Sequence, residues 1–193
     1  MVNEGKVKRV NGSLVVAEGL KGTKIGDVVH IGELKLIGEV VRISGGDAAL
    51  QCYEDTSGLR PGDPVVSTGR PLSAELGPGL IESIFDGLEF SEMAAWKLAG
   101  PFMKKGVKLM PLDRKKKWHF TPKVKKGDKV AEGDIIGVVP ETSIIEHRIL
   151  VPVELRGTIA EIKEGDFTVE EDVATLKLHD GGEVGLKLMQ LWP

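Results

Sequence analysis

Two twelve-residue stretches, KKGDKVAEGDII (125–136) and KEGDFTVEEDVA (163–174), align at an offset of 38 residues. Gly127–Asp128 matches Gly165–Asp166, and Asp134–Ile135 matches Asp172–Val173. Gly reaches positive φ without strain, and Asp hydrogen-bonds its own backbone, so both dipeptides are expected to close tight turns. Each turn then feeds a strand. Two such half-units facing one another make a single two-fold-like sandwich, too short for a solenoid.

Paired half-units with Gly-Asp turns are the pattern of the barrel-sandwich hybrid fold, to which lipoyl- and biotin-carrying domains belong. A carrier needs a lysine nitrogen at the joint between its halves. The joint here, PETSIIEHRILVPVELRG (140–157), contains no lysine, and Lys129 and Lys163 lie at the turns instead. The sandwich is therefore read as structural.

Upstream, KVKRV (6–10), LVVA (14–17), DVVHI (27–31), LIGEVVRI (36–43) and AALQCY (48–53) are short Val/Ile/Leu-rich runs. Clusters such as NGS and SGGD separate them. Short strands at close spacing with turn residues between them predict a small barrel, which leaves no free edges. The expected fold is mainly β: a barrel over residues 1–70, a connection over 71–112, and a barrel-sandwich-like domain over 113–193. The connection holds four of the ten prolines. One short helix is expected there, over Met93–Leu98 with Ser91 as its N-cap and Gly100–Pro101 as its stop.

Several functions are disfavoured. The net charge is −3 and aromatics are 5%, so neither a basic surface nor a supply of base-stacking rings points to nucleic acid. Cys52 is alone and reads as a small buried apolar residue. No apolar run approaches the roughly 20 residues of a membrane span, and MVNEGKVKRVNG lacks a signal core, which reads as cytoplasmic. No P-loop, G-x-G-x-x-G or G-x-S-x-G pattern occurs. The four histidines stand 28 or more residues apart, unlike a metal site. No catalytic, cofactor-binding or metal residue is assigned. The one charge cluster, DRKKKWHF (113–120), makes Arg114, Lys115, Lys116, Lys117 and Trp118 a candidate protein-docking surface.

One long string is far more specific than any short motif. YEDTSGLRPGDPVVSTGRPLSAELGPGLIESIFDG (53–87) closely resembles the N-terminal region of the catalytic A subunit of V-type and archaeal A-type rotary ATPases. GKVKRVNGSLVVAEGL resembles that subunit's opening barrel. PLDRKKKWHFTPKVKKGDKVAEGDIIGVVP resembles its inserted bulge domain, and LKLMQLWP the return to its nucleotide-binding core. At residues 88–92 the chain reads LEFSE and departs from the family.

The resemblance implies a part in ATP-driven or ATP-synthesising H⁺ or Na⁺ transport, peripheral to the membrane. It implies the ATPase B subunit, and further copies of the A subunit, as hexamer partners, and contact between the bulge and the peripheral stalk. ATP and Mg²⁺ belong to the parent complex. These residues lack a P-loop, so no ATP hydrolysis is expected from them alone. Leu80, Ile81, Ile84 and Phe85 are implied to dock on the nucleotide core, leaving apolar surface and self-association without it. The competing expectation is a shortened paralogue that acts as a protein-binding β-module without ATPase activity.

Overall fold

The computed structural model describes residues 3–81, 83–89, 91 and 110–193. The helix expected over Met93–Leu98 lies outside them. Two compact units are present: described residues through Ser73 form the first, and those from Ala74 to Trp192 the second.

In the first unit, six strands close a barrel: β1 (Asn3–Asn11), β2 (Leu14–Glu18), β3 (Asp27–Ile31), β4 (Leu36–Ser44), β5 (Asp47–Cys52) and β6 (Pro64–Pro71). Their order is β1-β2-β5-β4-β3-β6, all antiparallel neighbours, with β6 returning to β1. The period-2 pattern of the sequence sets the inward face. In β3, for example, Asp27, Val29 and Ile31 alternate with more accessible Val28 and His30. Val7, Val15, Val29, Ile31, Leu36 and Leu50 fill the interior. Cys52 is buried beside them, and that burial pushes its thiol pKa upward.

The described residues of the second unit form ten strands. They are β7 (Ala74–Leu76), β8 (Trp118–Pro122), β9 (Lys129–Val130), β10 (Ile135–Pro140) and β11 (Glu146–Leu150), followed by β12 (Gly157–Ile162), β13 (Gly165–Phe167), β14 (Asp172–Leu178), β15 (Glu183–Lys187) and β16 (Gln190–Trp192). Two four-stranded sheets run β11-β10-β8-β13 and β15-β14-β12-β9. Residues 74–76, read from sequence as part of a connection, pair with β16 in a two-stranded ribbon. Phe120, Ile136, Val139, Ile149, Ile159 and Leu176 lie in the core of this unit.

The 38-residue repeat is visible as topology. Shifting by 38 carries β8, β9, β10 and β11 onto β12, β13, β14 and β15, to within about two residues at each strand end. The same shift converts one sheet order into the other. Val138↔Thr121 in β10–β8 becomes Leu176↔Ile159 in β14–β12. The short third strands are exchanged: β9 completes the second half's sheet and β13 the first's. Each half therefore borrows an edge from the other.

The turns need one correction. Lys125–Asp128 closes as expected, with Gly127 at φ 94°. Gly165–Asp166 does not turn: Gly165 opens β13 and pairs with Phe120 of β8, so its backbone is committed to a ladder. A second turn of the same build stands in the first half itself, Ala131–Asp134, with Gly133 at φ 81°. Two barrel turns share this build, Lys24–Asp27 with Gly26 at φ 92° and Arg60–Asp63 with Gly62 at φ 96°. In all four the Asp N–H donates to the carbonyl three residues back, and Asp Oδ2 accepts that residue's N–H at 2.8 Å. This is a type II turn, which requires positive φ at its third position and so favours Gly there.

Candidate functional site

The basic run lies between the 110–112 segment and β8. Asp113 Oδ1 accepts the N–H of Lys115 (2.8 Å) and of Lys116 (3.2 Å), which closes the chain into a turn. These two backbone bonds, and the nearby lysines, hold the Asp113 carboxyl below its usual range. The turn sets Lys116 Nζ 3.7 Å from the centre of the Trp118 ring, a cation–π contact.

The five candidate residues then separate by environment. Trp118 is 6% exposed and belongs to the sandwich core. The Arg114 side chain is 17% exposed and sits between two carboxylates. Its Nη2 donates to Glu75 Oε2 at 2.7 Å, and Nε lies 3.0 Å from Glu170 Oε1, unaligned for a hydrogen bond and so an ion pair by distance alone. Arg114 thereby ties β7 to the sandwich. Lys115, Lys116 and Lys117 are exposed.

Around Glu75 a second carboxylate closes in. Glu89 Oε2 accepts the Glu75 N–H at 2.7 Å. Burial first, and the Glu75 charge next, push the Glu89 carboxyl upward, while its bond to the Glu75 N–H and Arg114 pull it back. No sequence signal pointed to this group. Glu75 and Glu89 belong to no period and stand far from Arg114 in the chain.

The apolar candidates also divide. Leu80 packs on the sandwich core and is half-buried. Ile81 is exposed, and Ile84 is 62% exposed. Phe85 is half-buried and bridges to Ser91 through the backbone. The loop carrying Leu80 is pinned by Glu141, whose side chain is 3% exposed. Glu141 Oε1 accepts the Gly79 N–H at 2.6 Å, and Oε2 lies 3.2 Å from His147 Nδ1. Sequence reasoning passed over Glu141 because an acid in a polar turn looks like solvation.

The exposed His119 has Nδ1 2.9 Å from Asp166 Oδ1 and Nε2 3.7 Å from Glu164 Oε1. Among the described residues no group of three or more His, Cys, Asp or Glu side chains is arranged to hold a metal ion. No helix among them is long and apolar enough to cross a membrane.

Two family descriptions match. Residues 7–69 match the beta-barrel domain of the ATP synthase alpha/beta family, and residues 109–193 match the barrel-sandwich domain of the ATP synthase alpha/beta subunit. The A subunit of the Metallosphaera sedula A-type ATP synthase is 54% identical over 98% of this chain and 32% of its own length. That of Saccharolobus islandicus is 54% identical over 100% of the chain and 33% of its own. The Thermococcus kodakarensis protein is 53% identical over 98% and 32%. The chain thus spans about a third of the length of these relatives. It belongs to the ATP synthase alpha/beta family, with the barrel and barrel-sandwich domains of an N-terminal region like that of the A subunit in A-type ATP synthases.

Proposed function

We propose that these residues form the non-catalytic N-terminal part of the A subunit of a rotary ATPase. The barrel serves assembly of a ring of alternating A and B subunits, and the sandwich contacts the peripheral stalk. The observation that carries this reading is identity of 54% along essentially the whole chain, together with both family domains in order. A ring that must stay closed while nucleotide sites open and close needs rigid parts. A closed six-stranded barrel, whose ladder leaves no edge, is such a part. ATP and Mg²⁺ bind elsewhere in the complex, and these residues turn over no ATP alone.

Within this reading Lys115, Lys116 and Lys117 carry the stalk contact. Arg114 and Trp118 hold the platform beneath them. Ile81 and Ile84 face the nucleotide-binding core of the parent protein. The test mixes the chain with the purified B subunit and, separately, with the stalk subunits, using light scattering and an ATPase assay. Association with the B subunit, no turnover by the chain, and stalk binding lost on K115E/K117E are expected. Turnover by the chain alone, or no association with either partner, overturns the reading.

A further inference from the structure

Among the described residues β11 is the outer strand of its sheet. The Val151 N–H donates to Asp134, and the Ile145 carbonyl accepts from Glu141 and Thr142, so these two residues bond inward toward the β10 side. A strand alternates its backbone groups between its two edges. Glu146, Arg148 and Leu150 therefore present N–H and C=O at the open edge. One contact bears this out: the Leu150 carbonyl accepts a hydrogen bond from the Gln190 side-chain amide.

Beside that edge is a cavity of about 190 Å³, lined by Leu76, Ile149, Leu150, Leu188, Gln190 and Trp192, with His147 and Arg148 completing it. Ile149 and Leu188 are buried in its wall, while Leu76 and Trp192 are exposed. The Trp192 indole N–H donates to Gln190 Oε1 at 3.2 Å, which fixes the ring. The volume is below the roughly 300–1,000 Å³ of sites for drug-sized ligands. It exceeds the about 150 Å³ of an apolar cavity that accepts a benzene ring. One aromatic side chain is the matching occupant.

Charge selects further. Arg148 is exposed, and among the described residues no carboxylate lies within ion-pair distance of it. His147 already faces Glu141. An occupant next to Arg148 gains from an acidic residue.

We infer that this edge and cavity form a docking site for an extended polypeptide segment carrying an aromatic residue flanked by acids. The segment adds to β11 as a further strand. Its backbone bonds Arg148 and the Leu150 N–H, the Leu150 carbonyl keeping its bond to Gln190, its ring enters between Leu188 and Trp192, and its carboxylate meets Arg148. Main-chain bonds supply affinity and the pocket supplies choice, as in other strand additions.

The probe is the peptide acetyl-Thr-Asp-Phe-Asp-Thr-amide, titrated into ¹⁵N-labelled protein. The Arg148 and Leu150 amides and the Trp192 indole should shift together and saturate. Replacing Phe by Ala, or both Asp by Lys, should weaken binding at least tenfold. Arg148→Glu, an exposed change, should reverse the Asp-over-Lys preference while leaving the remaining spectrum intact. No saturable shift at millimolar peptide, shifts elsewhere, or a preference indifferent to Arg148→Glu overturns the proposal. So do shifts of these amides on concentrating the protein alone, which would assign the edge to a second copy of the chain.

Discussion

The Glu141 carboxylate lies 2.6 Å from the amide nitrogen of Gly79, 62 residues earlier in the chain, and almost no water reaches it. The pair joins the β10–β11 hairpin to the loop that carries Leu80. Truncation by Glu141→Ala removes the acceptor of the Gly79 N–H and the partner of the His147 ring together. Gly79 is exposed, so water takes over its N–H and the loss is that of the hydrogen bond itself, about 0.5–1.5 kcal/mol. Urea unfolding should lose stability in that range, with Gly79 and Ile81 amides exchanging faster. Glu141→Gln keeps an acceptor oxygen and should lose less than half as much.

The four Gly-Asp turns share one geometry, so they should share one response. Asp128→Ala or Asp134→Ala removes an acceptor for a backbone N–H, a loss of about 1 kcal/mol each. Gly133→Ala places a Cβ at φ 81°, where a side chain costs roughly 1–2 kcal/mol. Asp166→Ala, in the Gly-Asp pair that does not turn, should change stability by under about 0.5 kcal/mol. Equal losses at Asp134 and Asp166 would refute the distinction.

That distinction shows what the sequence could carry. Gly-Asp and alternating Val/Ile are local signals, so the barrel strands and the 38-residue repeat were legible. Whether Gly165 turns or pairs depends on β8, more than forty residues earlier, and no local pattern holds that information. The candidate surface was legible only as a charge run. Arg114 and Trp118 look like surface residues beside three lysines. Only the fold brings Glu75 and Glu170 to Arg114 and the sandwich core to Trp118.

Gly137 marks a tight crossing in the sandwich. A Cβ there would stand 2.2 Å from Phe120 Cε2 and 2.8 Å from the Thr121 carbonyl oxygen. Phe120 is fully buried and has no room to withdraw. Gly137→Ala should cost roughly 3 kcal/mol by overpacking. Phe120→Leu in the same chain frees the ring's space but not the carbonyl's. A double-mutant cycle should therefore show a rescue of about 1 kcal/mol, well short of complete. Simple additivity would mean that the backbone, not Phe120, sets the limit.

Asp113 links protonation to the basic surface. Its carboxyl is held below its ordinary value of 3.8, chiefly by the Lys115 N–H. A depressed carboxyl contributes stability above the unfolded value and loses it as pH falls through the folded one. The turn should therefore be intact at neutral pH and loosen only below pH 3.8. Asp113 is exposed, so solvent screening holds the global effect to roughly 0.5 kcal/mol or less, and a local reading is needed. Lys115 and Lys116 amide shifts should titrate together with the Asp113 carboxyl. In Asp113→Ala both titrations vanish, and Lys116 loses its fixed place over Trp118. If Lys115–Lys117 dock as one ordered surface, that variant should weaken stalk binding at neutral pH while keeping all three lysine charges. Unchanged binding would show that the charges act without the turn.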